Sequence, residues 1–138
     1  IAAYKKRLFS GDVALEARYA RAWAGWENAL ASIDSTGISG ETPSQYARAF
    51  ARLENYYFSN KLFLAPNQAI LSNMSKISNI PGNIVQGRYD MICPPQTAWG
   101  LAQAWPKARL KMVAKAGHAL SDTPISAELV KIMDALRV

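Results

Sequence analysis

Asn83-Ile84-Val85-Gln86-Gly87-Arg88-Tyr89-Asp90 is a short, largely apolar run closed by a glycine and followed by an acid. Asn83–Gln86 predicts a β-strand and Gly87 its end. Downstream, Gln96–Trp105 predicts a helix stopped by Pro106, because the residue before a proline is steered away from the α region. Arg109–Ala114 sets Arg109 and Lys111 in alternation with Leu110 and Met112, which predicts a second strand with one solvated face. The loop Lys115–Thr123 leads into a last helix, from about Ile125 to Arg137, with Ile125, Leu129, Ile132, Met133 and Leu136 on one face. Strand, helix, strand, helix predicts parallel α/β units. Parallel sheets are normally larger than two strands and covered on both faces. The second half therefore reads as the end of a sheet whose other strands are not in this chain.

Working upstream, the chain to about Asn79 has helical grammar. Asp12 predicts a cap for a helix running to about Ser32, with Glu16 early in it and a stripe of Tyr19, Trp23, Trp26, Leu30 and Ile33. Gly37 and Gly40 break that helix. Thr42 predicts the cap of a second helix with Pro43 at its first position, where proline's fixed φ and missing N–H are tolerated. Its stripe is Tyr46, Phe50, Leu53 and Tyr57. A third, weaker helix is expected over Asn67–Lys76, bracketed by Pro66 and Pro81. The organisation expected is a helical region over 1–80 and an α/β region over 81–138.

The chain has 138 residues, half of them apolar and 19% charged, a globular balance. No stretch approaches the roughly 20 apolar residues of a membrane-spanning helix. Nor does Ile1–Ser10 have the regions of a secretory signal. The formal charge of +6 permits anionic partners. Its basic residues are dispersed, however, and Lys5-Lys6-Arg7 is the only run of three, so no nucleic-acid partner is expected. The single cysteine, Cys93, excludes an internal disulfide, and with one histidine it makes a soft-metal site unexpected. A reducing, cytoplasmic setting is the expectation. The first residue is Ile1, which fits trimming or a piece of a longer chain.

Asp90 follows the first strand and His118 follows the second, in Ala116-Gly117-His118. Functional groups in open parallel sheets gather at the carboxyl ends of strands. A carboxylate so placed can orient an imidazole and stabilise the imidazolium formed when it takes a proton. The plainer alternative is an Asp that caps its own turn and an incidental surface His. In α/β-hydrolases the nucleophile precedes acid and histidine on a Gly-x-Ser-x-Gly elbow. No such elbow occurs here; Gly37-Ile38-Ser39-Gly40 has the wrong spacing. Cys93 reads better as a small buried side chain than as a nucleophile. Glu27 and Glu54 each border an aromatic stripe. Either alone reads as a solvated acid or a partner for Arg48 or Arg52. Two on neighbouring helices suggest an anionic site with aromatic walls, suited to an ammonium group.

These residues resemble the prolyl iminopeptidase (proline aminopeptidase) family of α/β-hydrolases. The resemblance runs through Val85–Pro94, Ala98-Trp99, Ala104-Trp105-Pro106 and Ala116-Gly117-His118. In the helical half it runs through Ala22-Trp23, Trp26-Glu27 and Ala51–Phe58. It implies a C-terminal fragment of an α/β-hydrolase: a helical cap, then the last two parallel strands and their helices. It implies a serine aminopeptidase that releases N-terminal proline from peptides without metal or other cofactor. Asp90 would be the triad acid and His118 the general base. Glu27 and Glu54 would hold the substrate's free α-amino group, and Phe58 would wall the pyrrolidine pocket. Cys93 would lie near the site and confer thiol sensitivity. The nucleophilic serine, its oxyanion loop and the rest of the core are expected upstream, so the chain alone is expected to be inactive. Leu71–Asn79 is more polar than the family pattern, and Asp122 stands where an acid often follows the histidine. Two alternatives stay open: a non-enzymatic basic helical binding module, and an α/β-hydrolase acting on another ester or amide.

Overall fold

The computed structural model describes residues 1–33, 43–65 and 69–137. The chain is mixed α/β and divides into two compact units. One comprises Ile1–Ala29 with Thr36–Pro66, the other Leu30–Ser35 with Asn67–Val138.

The first unit holds helix α1 (Ala2–Leu8), most of α2 (Val13–Ala31) and α3 (Ser44–Ser59), followed by a short 3₁₀ turn at Lys61–Phe63. Asp12 caps α2 as its sequence predicts, its Oδ1 accepting from the N–H groups of Ala14 at 2.9 Å and Leu15 at 3.1 Å. Thr42, the expected cap of α3, lies outside the described residues. Pro43 stands at the cap and not in the first turn, one residue earlier than expected. α1 has no counterpart in the sequence expectations.

The buried faces of α2 and α3 differ from the aromatic stripes. Ala17, Ala20 and Ala24 are the buried apolar side chains of α2, and Ala47 and Ala51 those of α3. Trp26, Tyr46, Leu53 and Tyr57 are exposed. Small side chains let helix backbones approach closely, and the larger rings then seal the flanks. Leu8, Ala20, Ala24, Ala47 and Ala51 form the core, flanked by Tyr4, Tyr19, Trp23 and Phe50. Buried Asn55 stitches α3 to the start of the chain, its Nδ2 donating to the Ile1 carbonyl at 3.2 Å.

A buried ion pair braces the same unit. Glu16 meets Arg48 at 2.5 Å and Arg52 at 3.5 Å. Gly11 donates its N–H to the other Glu16 oxygen at 3.0 Å. That backbone hydrogen bond, then the Arg48 hydrogen bond, hold the Glu16 carboxyl below the ordinary range, against the opposing effect of burial.

In the second unit, strands β1 (Gly82–Gly87) and β2 (Ala108–Val113) pair in parallel, Gly82 opposite Ala108 and Gly87 opposite Val113. β1 extends one residue beyond the expected strand at each end, and β2 begins and ends one residue before the expected bounds. Helix α4 (Pro95–Ala104) makes the crossover and packs on both strands, and α5 (Thr123–Ala135) packs on β1. Val113, Ala116 and Ile125 form the core here, with Val85 and Leu129 packed against them. Arg109 and Lys111 alternate outward as expected. Of the expected α5 face, Met133 and Leu136 are exposed, because two strands offer a helix little apolar surface beyond its first turns. The described part of the expected third helix is a 3₁₀ helix, Leu71–Lys76. Its run of Ser72, Asn73 and Ser75 favours local side-chain bonding over an α-helix.

Candidate active site

Two groups of side chains carry the sequence-derived candidates, and each lies within one unit. The first sits where β1 and β2 end. Both strands run the same way, so the turn after Gly87 and the loop after Val113 emerge side by side. Gly87 allows their close approach: a Cβ there would overlap the Gly117 carbonyl oxygen and lie 2.7 Å from that of Ala116. Tyr89 N–H then donates to the Ala116 carbonyl at 2.9 Å, tying turn to loop. The consequence is contact between Asp90 and His118, 28 residues apart, with Oδ2 3.0 Å from Nδ1.

The Asp90 carboxylate is held on both oxygens. Oδ1 accepts from the N–H groups of Ile92 at 3.0 Å and Cys93 at 2.7 Å. Oδ2 accepts from Gln86 Nε2 at 3.1 Å as well as facing the imidazole. Gln86 is itself buried and also donates to the Cys93 carbonyl at 3.0 Å, so the strand end and the turn brace each other. Asp90 is 6% exposed, whereas the His118 side chain is 43% exposed. Burial pushes the Asp90 carboxyl up. The hydrogen bonds from Cys93, His118 and Ile92 outweigh it and hold the group below the ordinary carboxylate range. An ionised carboxylate only accepts, so the bond between Oδ2 and Nδ1 places the imidazole hydrogen on Nδ1. In the neutral ring Nε2 then carries the lone pair, the arrangement a general base requires.

This depressed carboxyl makes a prediction about stability. A group whose folded pKa lies below its unfolded value stabilises the fold above the unfolded value, about 3.9 for Asp. That contribution disappears as pH falls through the lower, folded value. We expect thermal unfolding midpoints to fall below about pH 4, and Asp90→Asn to flatten that part of the profile. An acid profile unchanged by Asp90→Asn would show that the carboxylate is not stabilised as described.

Cys93 is exposed, which corrects the expectation of a buried side chain. The turn uses its backbone, whose N–H and carbonyl serve Asp90 and Gln86, and so leaves its side chain outside.

The second group belongs to the first unit. Ile1, Tyr4, Ala22, Trp23, Trp26, Glu27 and Phe58 line an open cavity of about 390 Å³. Trp23 is its centre: it stacks on Phe58 with centroids 6.4 Å apart and meets the Tyr4 ring edge-on at 5.2 Å. Glu54 joins this group through Trp23, whose indole N–H donates to its Oε2 at 2.7 Å. Glu27 is half-buried and is the acidic side chain among those lining residues. Arg48 and Arg52, considered as partners for these acids, pair with Glu16 instead. The helical spacing that places an acid beside aromatic rings therefore builds a concave aromatic surface with negative charge at its edge.

Among the described residues, no three His, Cys, Asp or Glu side chains gather into a group able to hold a metal ion. No described helix is long and apolar enough to cross a membrane.

Along nearly its whole length, this chain is similar to proline iminopeptidases. It is 45% identical to a proline iminopeptidase of Arabidopsis thaliana over 130 residues, 93% of this chain and 34% of that protein. It is 42% identical to one of Neisseria gonorrhoeae over 134 residues, 97% of this chain and 42% of that protein. For one of Xanthomonas citri the identity is 39% over 136 residues, 97% of this chain and 44% of that protein. The chain thus spans less than half the length of these proline iminopeptidases. No protein-family model matches it.

Two contributors were missed in the sequence. Glu16 gave no signal beyond its place early in a helix, because its arginine partners lie 32 and 36 residues away. Gln86 sits inside a strand, where a polar residue that braces the next turn looks like ordinary alternation.

Proposed function

We propose that this chain is the late part of a serine aminopeptidase that releases N-terminal proline from peptides. In this reading 1–80 is the helical cap and 81–138 the end of an α/β-hydrolase core. The observation that carries it is the hydrogen bond between buried Asp90 and exposed His118, which leaves Nε2 as the basic nitrogen. The similarity to proline iminopeptidases supports the same reaction class.

His118 takes the proton of a serine hydroxyl as that oxygen attacks the carbonyl of the N-terminal prolyl residue, then returns it to the departing peptide amine. Water repeats the cycle on the prolyl ester and frees proline. Asp90 fixes the tautomer and stabilises the imidazolium at each transfer. No Gly-x-Ser-x-Gly elbow lies within these 138 residues, so the serine and oxyanion donors come from the remaining length of the protein. Glu27 and Glu54 select the free amino group, because a cation is what repays the desolvation of two carboxylates. Trp23 and Phe58 offer the pyrrolidine ring an apolar wall, and a secondary ammonium beside Trp23 gains from the ring face.

The test is Glu27→Gln and Glu54→Gln in the whole protein. We expect kcat/KM for proline arylamides to fall by about 2–5 kcal/mol of transition-state stabilisation, on the scale of removing one member of a desolvated charge pair. Activity toward simple esters should change little. Equal loss on esters, or none on arylamides, would contradict amine selection.

A further inference from the structure

We propose that Asp122 is a positioning residue for His118, holding the loop that carries the imidazole through Gly117 and Ser32. Asp122 is the cap residue of α5, yet its side chain makes no capping hydrogen bond. An aspartate there ordinarily turns its carboxylate onto the first-turn N–H groups. Here it faces the other way. Oδ2 accepts the Gly117 N–H at 2.8 Å, and Oδ1 accepts the Ser32 hydroxyl at 2.6 Å.

The next two N–H groups of the loop are also fixed. Those of His118 and Ala119 both donate to the Ala31 carbonyl, at 2.6 and 2.8 Å. That carbonyl ends α2, where the last four carbonyls lack helical partners and the helix carries partial negative charge. Three consecutive N–H groups, Gly117, His118 and Ala119, are thus held by acceptors at the end of α2 and the start of α5. The fit is close: a Cβ on Gly117 would lie 2.6 Å from the Ala31 carbonyl oxygen. The Asp122 carboxylate is engaged by Gly117 and Ser32. It acts on the backbone, while Asp90 holds the ring at 3.0 Å. Without the carboxylate, the Gly117 N–H loses its acceptor and the link from Asp122 to Ser32 is broken, so the loop is held less firmly with Nδ1 opposite Asp90.

This role rests on reading His118 as the base, but its test needs no substrate. His118 is the one histidine of the chain, so the ¹⁵N-labelled 138-residue chain yields a single imidazole. We expect an Nδ1–H proton signal that exchanges slowly with water. Asp122→Ala should lose it and raise amide exchange at His118 and Ala119 by about tenfold or more, as expected when a backbone anchor is removed. Asp122→Asn should keep it, since its carbonyl still accepts from Gly117 and its amide can donate to Ser32 Oγ. Leu129→Ala, a core truncation in the same unit, should also keep it. If Asp122→Ala does not fold, Ser32→Ala decides, with partial loss expected. A wild-type signal in the folded Asp122→Ala or Ser32→Ala chain, equal loss in Leu129→Ala, or no bonded signal in the wild type would overturn the proposal. Absence of proline release in the whole protein would leave this result standing.

Discussion

We expect His118→Ala to lower kcat for proline release about 10⁶-fold in the whole protein, the scale seen when a serine peptidase loses its general base. The reason is local. The strand ends bring Asp90 to Nδ1, which leaves Nε2 of the more exposed imidazole for the proposed proton transfer. In the proposed reading other side chains bind the amino terminus, so KM should change far less than kcat. A steady-state comparison with a proline arylamide separates the two. A loss below about a hundredfold would place His118 outside proton transfer, since general acid–base catalysis alone contributes at least that much.

Asp90→Asn should reduce kcat about 10⁴-fold, the effect of imposing the wrong tautomer on a catalytic imidazole. The structure determines how the new amide would sit. Two N–H groups, from Ile92 and Cys93, already point at Oδ1 and will keep the amide oxygen there. The NH₂ group must then replace Oδ2, facing Nδ1 of His118 and Nε2 of Gln86. A donor facing Nδ1 requires that nitrogen to accept, so the hydrogen moves to Nε2 and the base is lost. Two donors also oppose each other at Gln86. Adding Gln86→Leu should relieve that second conflict without restoring turnover. Substantial recovery in the double variant would mean that strain, not tautomer, causes the loss.

Much of the α/β half was legible because its signals are short in range. Alternation at Arg109 to Met112 marks a strand, and Pro106 stops a helix without help from distant contacts. Asp90 and His118 were readable as a pair because parallel strands deliver their following loops to the same edge. The helical half was less readable. Spacing places Trp23 and Trp26 on a stripe, but which face goes inside depends on how closely two backbones approach. Alanines decide that, and alanine is common in exposed helices too. Asp122 was legible only as an acid following the histidine, because its partners, Gly117 and Ser32, are set by tertiary folding. The exposure of Cys93 is not legible in composition, which speaks to side chains, whereas the Asp90 turn recruits its backbone.

Turnover by the protein expressed from the whole reading frame that contains Ile1–Val138, beside the 138-residue chain alone, bears most directly on these assignments. The substrates are a proline arylamide and its N-acetylated form. We expect the whole protein to release proline from the free-amine substrate only, and the chain alone to release none once contaminants are excluded. Turnover by the chain alone, equal cleavage of the acetylated substrate, or a reading frame that starts at Ile1 would contradict a serine aminopeptidase whose acid and base lie at Asp90 and His118.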